Sequence, residues 1–170
     1  GKMCIIQCTL AEHSSWSSHH SVDSEELCRS MKVDFRNTKQ IDWNQLLQLQ
    51  RGAPWSRHRS LEQLRKAMDH SQLLITGWYE NRLIACARVL TDFVYRAIIF
   101  DVIVRPDFQG RGIGRDLMRR VVEDPSLKEV EYFFLYTEDK EEFYRRIGWE
   151  EYSGKSFRLI NRSSPNSLME

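Results

Sequence analysis

The chain has 170 residues, of which 41% are apolar and 29% are charged, the composition of an ordinary folded protein with a single core. Its 25 lysines and arginines are balanced by 24 aspartates and glutamates. This balance excludes a strongly basic protein that binds nucleic acid or an anionic membrane through its bulk charge, so we expect neither as a partner.

The cysteines are few and scattered. Cys4, Cys8, Cys28 and Cys86 include no CxxC pair. Disulfide frameworks and structural zinc sites show closer and more regular spacings. We therefore expect a reduced protein located in the cytoplasm.

Residues 1–30 are expected to form an extension that precedes the domain. It contains a strand-like segment, CIIQCTL, then a serine- and histidine-rich stretch, HSSWSSHHS, and then VDSEELCRS, which is compatible with a short helix. The polar stretch predicts a linker, so we expect the extension to be mobile in part. One domain over residues 31–162 and a tail over residues 163–170 follow.

The first half of the domain has clear local signals. MKVDFRN alternates like a strand, and DWNQLLQLQRG predicts an amphipathic helix that ends at Gly52. In SLEQLRKAMDH, Ser60 followed by Gln63 is the signature of a capped helix start. QLLITGWY and RLIACARVLT predict two strands joined by a turn at Glu80 and Asn81.

The second half of the domain begins with YRAIIFDVIV, a long apolar run that predicts a central strand buried on both faces. GIGRDLMRRVVED predicts a helix that ends before Pro125, EYFFLYT a strand, KEEFYRRIG a short helix, and SFRLIN a final strand. This order predicts an α/β fold built on a mixed sheet, with its chemistry near the middle.

A glycine-rich turn between the long strand and the next helix is the strongest chemical signal. In VRPDFQGRGIGRDLMRR, glycines allow backbone amides to approach a ligand, and a helix start adds unpaired N–H groups and partial positive charge. Arg111 and Arg115 add full charges, so the segment suits a pyrophosphate. The dinucleotide pattern GxGxxG fails here in both registers, and the Walker A pattern fails because no GK[ST] follows.

Two motifs together resemble a known family. The loop reads as QxxGxG through Gln109, Gly112 and Gly114, and the later segment EFYRRIGWE resembles an FYxxxGF element. Both occur, in this order, in GNAT N-acetyltransferases. The string FDVIVRPDFQGRGIG is most similar to that of the plant and cyanobacterial arylalkylamine (serotonin) N-acetyltransferases.

The resemblance implies the GNAT acyl-CoA N-acyltransferase fold, a splayed central sheet flanked by helices, with acetyl-CoA as co-substrate and no metal. It places the cofactor on the end of the long strand, the loop, the helix start and the later segments. These residues are Val102, Ile103, Val104, Gln109, Gly110, Arg111, Gly112, Ile113, Gly114, Arg115, Thr137 and Tyr144. The Val102 N–H is the implied donor to the thioester carbonyl.

Catalytic roles follow from the resemblance and from charge. Tyr144 is the candidate acid for the departing thiolate. Asp101, the only charge within IIFDVIV, is either the base, acting directly or through water, or a structural carboxylate that accepts hydrogen bonds. Ile98 stands where the histone-acetylating branch has a glutamate, and Thr137 stands where many members have an asparagine.

Trp55, in the loop APWSRHRS, is the candidate acceptor-binding residue: it either stacks on an aromatic amine or fills the core. We expect acetylation of a primary amine by direct attack in a ternary complex, with an arylalkylamine or polyamine-like acceptor favoured. A protein lysine or N-terminus is the alternative acceptor, and a non-catalytic acyl-CoA sensor is the alternative class. The sequence leaves the oligomeric state open, with a homodimer as one candidate.

Overall fold

The computed structural model describes residues 31–159 and Ser164. Its elements are β1 (Asp34–Asn37), α1 (Trp43–Arg51), α2 (Leu61–Asp69), β2 (Leu73–Tyr79), β3 (Arg82–Thr91), β4 (Arg96–Val104), α3 (Ile113–Val122), β5 (Tyr132–Leu135) and α4 (Glu141–Arg146). The strand, linker and short helix expected in the extension lie outside the described residues. The proposed domain boundaries therefore stay predictions.

The five strands form one mixed sheet in the order β1-β2-β3-β4-β5. Neighbouring strands are antiparallel except β4 and β5, which are parallel. Glu80 and Asn81 join β2 to β3 with φ angles of 47° and 62°, the left-handed pair that a tight hairpin turn requires. This arrangement confirms the predicted mixed sheet flanked by helices.

Both faces of the sheet are covered. Side chains along β2 and β3 are buried at successive positions, and successive positions point to opposite faces. Helix α3 packs against β2, β3 and β4 and buries Leu117, Met118 and Val121. A separate core cluster joins α1 and α2 to the sheet through Leu46, Leu47, Leu49, Leu64, Met68, Leu74, Trp78, Leu83, Cys86 and Ile103.

The helix starts follow their local signals. The Asp42 carboxylate accepts the Asn44 N–H at 2.9 Å and caps α1. Ser60 and Gln63 form the predicted capping box at α2, with reciprocal hydrogen bonds of 3.1 and 3.2 Å. These bonds satisfy backbone donors that the first turn of a helix leaves unpaired.

Strand β4 contains a β-bulge at its centre. Cys86 pairs with Ile103, and Arg88 pairs with Phe100, so β4 has one more residue than β3 between these two pairs. Asp101 lies in the bulge with φ 54°, a left-handed conformation that non-glycine residues adopt rarely. Beyond Ile99, β4 has no pairing with β5 within residues 31–159. The second half of β4 therefore presents an open edge.

Two expectations for the strands need correction. Burial along β4 alternates between buried and half-buried side chains, so the continuous burial that the apolar run predicts is not observed. The predicted strand SFRLIN is wrong over residues 156–159, which have no regular structure and leave Phe157 and Leu159 exposed. Its remaining residues lie outside the described part. An alternating apolar pattern predicts a strand only if a neighbouring strand supplies hydrogen-bond partners.

The described residues contain no helix that is both long enough and apolar enough to span a membrane.

Candidate active site

The open edge of β4 carries backbone groups directed away from β3. Arg105 donates its N–H to Ile84 O at 2.8 Å, on the β3 side. Because backbone groups alternate along a strand, those of Val104 face the open edge. The backbone of Ile103 faces β3 instead, where it pairs with Cys86. The structure thus brings the Val104 backbone, but not the Ile103 backbone, to the edge expected to bind pantetheine. Val102 lies in the bulge, where the alternation is interrupted, and the role of its N–H stays a prediction.

The glycine-rich loop is tied to this edge by Gln109. Its side-chain amide donates to Val104 O at 2.9 Å, which holds the loop against the end of β4. Gly110 and Gly112 have φ angles of 76° and 79°, and Gly112 is the N-cap of α3. Residues with a Cβ atom strongly disfavour such φ angles, so glycine at these two positions allows the loop to adopt its conformation. The first-turn amides of α3 then offer hydrogen bonds to an anion.

Three of the predicted motifs meet at Gly114. A Cβ atom placed there would lie 3.2 Å from Phe143 Cζ and 3.8 Å from Val104 Cγ2. Glycine thus allows the end of β4, the start of α3 and helix α4 to approach closely. In the sequence, the glycine at position 114 indicated this close contact, because a larger residue would push α4 away from α3.

Tyr144 follows Phe143 on α4 and lies among aromatic rings. Its ring centroid is 5.0 Å from that of Phe143 and 6.1 Å from that of Trp149. Burial raises the pKa of the Tyr144 phenol to about 12. The phenol therefore keeps its proton at neutral and mildly alkaline pH, as a proton donor to the thiolate requires. A general base would have to be deprotonated at the same pH.

Thr137 lies between β5 and α4. Its Oγ1 accepts the Lys140 N–H at 3.0 Å and so orders the turn that leads into α4. A threonine hydroxyl can donate as well as accept, and the expected role of Thr137 toward pantetheine stays a prediction.

Asp101 is the centre of a buried ionic cluster. Its side chain is 3% exposed, and its two carboxylate oxygens accept from Arg59 Nη1 at 3.0 Å and from Arg88 Nε at 2.8 Å. The Cys86 thiol lies 3.3 Å from the Asp101 carbonyl oxygen, and burial raises the pKa of that thiol. These contacts support the structural alternative for Asp101, because both oxygens are already engaged. Its role as the base stays a prediction.

Trp55 lies in a single 3-10 turn, Pro54–Ser56, and is 50% exposed. This exposure excludes the alternative that it fills the core. The Arg59 guanidinium lies 5.1 Å from the Trp55 ring centroid, so the loop with Trp55 is connected to Asp101. The sequence indicated that a buried Asp101 carboxylate needs a positively charged partner, but not which side chains supply the charge.

An open strand edge next to a glycine-rich helix start, with a protonated phenol on a neighbouring helix, defines the class of acyl-CoA-dependent transferases. The chain belongs to the Acetyltransferase (GNAT) family, whose family model matches residues 41–149. It is an N-acetyltransferase, as the two motifs predicted.

Similar proteins support this assignment. The chain is 34% identical over 122 residues to "Uncharacterized N-acetyltransferase ycf52" of Porphyra purpurea, covering 69% of this chain and 70% of that protein. It is 38% identical over 99 residues to "Serotonin N-acetyltransferase 2, chloroplastic" of Oryza sativa subsp. japonica, covering 54% of this chain and 48% of that protein. The chain therefore spans about half of the rice protein.

A solved structure also shares the fold. The putative GNAT-family acetyltransferase of Xanthomonas campestris pv. campestris superposes with a TM-score of 0.63 at 31% identity, covering 82% of this chain and 92% of that one.

Gly112→Val is expected to weaken acetyl-CoA binding about ten- to hundredfold in calorimetry. A β-branched residue is incompatible with the φ of 79° at this position, and each lost charge-assisted hydrogen bond is worth about 1.5–3 kcal/mol. Asn81→Val is the matched control, because Asn81 also has a left-handed φ, 62°, but lies in the turn between β2 and β3, outside both motifs. Equal affinities of the two variants for acetyl-CoA would show that its phosphates bind outside the loop.

Asp101→Asn is expected to lower the free energy of unfolding by about 2–3 kcal/mol, or roughly 5–10 °C in Tm. Asparagine tolerates the left-handed φ but removes the negative charge shared by two arginines. Turnover at saturating substrates should change by less than about threefold.

Asp107→Asn is the control, since Asp107 also pairs with two arginines but has a side chain that is 51% exposed. If Asp101 is the base, turnover of Asp101→Asn falls about 10²–10⁴-fold and the acidic limb of the rate profile disappears.

Proposed function

We propose that the protein transfers the acetyl group of acetyl-CoA to a primary amine by direct attack within a ternary complex. The observation that carries this proposal is the junction at Gly114, where the open end of β4, the start of α3 and the helix with Tyr144 meet. An arylalkylamine or polyamine-like acceptor is favoured. A protein lysine or N-terminus is the second candidate acceptor.

In this proposal, acetyl-CoA is bound mainly by backbone groups. The backbone groups of Val104 at the open edge and those of Val102 extend along the pantetheine arm, and the loop amides from Gly110 to the first turn of α3 bind the pyrophosphate. Arg111 and Arg115 contribute positive charge near the phosphates. The hydrogen bond from Gln109 to Val104 O holds the loop against β4 before binding, which limits the reorganisation that binding requires.

The thioester supplies an acetyl group that is already activated, so the protein contributes position and polarisation. The Val102 N–H is directed at the thioester carbonyl and stabilises the charge that develops on its oxygen. The amine must lose a proton to attack; a base role for Asp101, directly or through water, is the alternative to its structural role, and turnover of Asp101→Asn decides between the two. No metal is required for these steps.

Tyr144 assists departure of the thiolate. A phenol with a pKa of about 12 is a weaker acid than a thiol with an ordinary pKa near 8.5, so full proton transfer is unfavourable in water. Burial raises the pKa of a thiolate as well, which reduces this difference. The hydroxyl therefore acts mainly as a hydrogen-bond donor that shares its proton with the leaving sulfur.

The arylalkylamine preference is supported by two observations. Trp55 exposes half of its surface on the loop connected to Asp101, and an indole face stacks well on another aromatic ring. The rice relative is named a serotonin N-acetyltransferase. A cytoplasmic location remains part of the proposal, although the rice protein's name places that protein in the chloroplast.

The test is release of free thiol from acetyl-CoA in the presence of separate amines. Tryptamine, 2-phenylethylamine, spermidine, a lysine-containing peptide blocked at its N-terminus, and a lysine-free peptide with a free N-terminus form the panel. Turnover highest with the first two supports the proposal. Turnover only with a peptide favours a protein acceptor, and tight acetyl-CoA binding without turnover indicates a sensor.

Tyr144→Phe is expected to lower turnover about 10²-fold, the lower end of the range for acid–base groups. The loss is limited because coenzyme A thiolate is a fair leaving group and water replaces part of the hydrogen bond. Acetyl-CoA affinity and Tm should change little, since the ring and its packing remain. Tyr152→Phe removes an exposed hydroxyl elsewhere and is the control. Full activity of Tyr144→Phe across pH would reduce Tyr144 to a packing residue.

A further inference from the structure

Arg59 makes three contacts that join otherwise separate parts of the molecule. Its Nη1 donates to Asp101 Oδ1 at 3.0 Å and to Gln50 Oε1 at 2.8 Å, and its Cζ lies 5.1 Å from the centroid of the Trp55 ring. Asp101 belongs to β4 and Gln50 to α1, whereas Trp55 belongs to the loop. A single guanidinium thus holds the loop to the strand and to the helix.

The partners of Arg59 are themselves fixed. Gln50 is fully buried, and its carbonyl oxygen accepts the Ser56 hydroxyl from the loop. The Asp101 carboxylate is also held from its other side by Arg88. The Arg59 side chain is only 27% exposed, so the guanidinium plane has little freedom to move. A flat, immobile cation is a good surface for an aromatic ring.

Trp55 has few other restraints that the structure shows. It lies in one turn of 3-10 helix and is half exposed, so its ring position depends on the guanidinium. Trp55 is 50% exposed despite its contact with Arg59, so part of the indole is available to an acceptor. Asp101 directly precedes Val102, whose N–H is the proposed donor to the thioester carbonyl. The orientation of the indole is therefore coupled to the strand that carries the acetyl group.

We propose that Arg59 is a positioning residue that orients the indole of Trp55 and so sets the preference of the enzyme for aromatic over aliphatic amines. This inference rests on the proposed amine acetylation. Arg59 acts through Trp55 and makes no contact with the reacting atoms. Arg88 binds the same carboxylate but stacks on Phe100, with its Cζ 5.0 Å from that ring, and provides an internal comparison.

The experiment measures kcat/KM for two acceptors of nearly equal size, 2-phenylethylamine and 2-cyclohexylethylamine, in the full chain. The ratio of the two values reports recognition of the aromatic ring and cancels general losses of activity. Arg59→Gln should lower this ratio about threefold to tenfold, which lies between the values for an exposed and a desolvated cation–π contact. The change should lie in the KM for 2-phenylethylamine, with the KM for acetyl-CoA unchanged.

The comparison variants separate positioning from stability. Arg88→Gln should lower the Tm to an extent similar to Arg59→Gln but leave the ratio within about twofold. Trp55→Leu should lower the ratio as Arg59→Gln does, and the double variant should show no further loss, because both changes remove the same surface. Arg59→Lys, which retains the charge toward Asp101, should give an intermediate ratio.

The outcomes distinguish this inference from the function on which it rests. An unchanged ratio in Arg59→Gln, or equal changes in Arg59→Gln and Arg88→Gln, would overturn the positioning role while amine acetylation stands. If Arg59→Gln fails to fold, Arg59→Lys and Trp55→Leu still decide the question through the same ratio. Absence of turnover with every amine in the unaltered enzyme would overturn both.

Discussion

The bulge at Asp101 is the constraint on which the rest of the site depends. A non-glycine residue in the left-handed region costs on the order of 1–3 kcal/mol, and a buried carboxylate without partners costs more. Two guanidinium groups, from Arg59 and Arg88, offset both costs. The extra residue lies just beyond Ile99, where the pairing of β4 with β5 stops, so the second half of β4 has an edge that β5 does not cover.

The same ionic cluster connects the two regions proposed to bind the substrates. On one side Asp101 precedes the strand edge proposed to bind the thioester, and on the other Arg59 contacts Trp55 in the loop proposed to bind the amine. Direct transfer requires that amine and thioester meet in a defined geometry, and such positioning contributes much of the rate enhancement in two-substrate enzymes. In the proposed mechanism, the contacts of Arg59 with Asp101 and Trp55 supply that geometry.

Close approach of the backbone has the complementary role at the other end of β4. Because Gly114 has no side chain, Phe143 contacts the start of α3. Tyr144 is the next residue on α4, so the same contact fixes the position of Tyr144 relative to α3. Aromatic neighbours and burial keep the phenol protonated. The loop proposed to bind the phosphates and the helix that carries the proposed donor to the leaving sulfur thus meet at one glycine, which gives a physical reason for the joint occurrence of the QxxGxG and FYxxxG segments.

The sequence by itself determined the features that depend on neighbouring residues: the capping box at Ser60, the turn at Glu80 and Asn81, the periodicity of the helices, and the glycine loop with its family. Only the tertiary structure decided the pairing of Asp101 with Arg59 and Arg88, which lie 42 and 13 positions away. It also decided which backbone groups face the open edge and that residues 156–159 form no strand. Local patterns report the preferences of a segment, whereas ion pairs, bulges and edges depend on the register between distant strands, and no single segment contains that information.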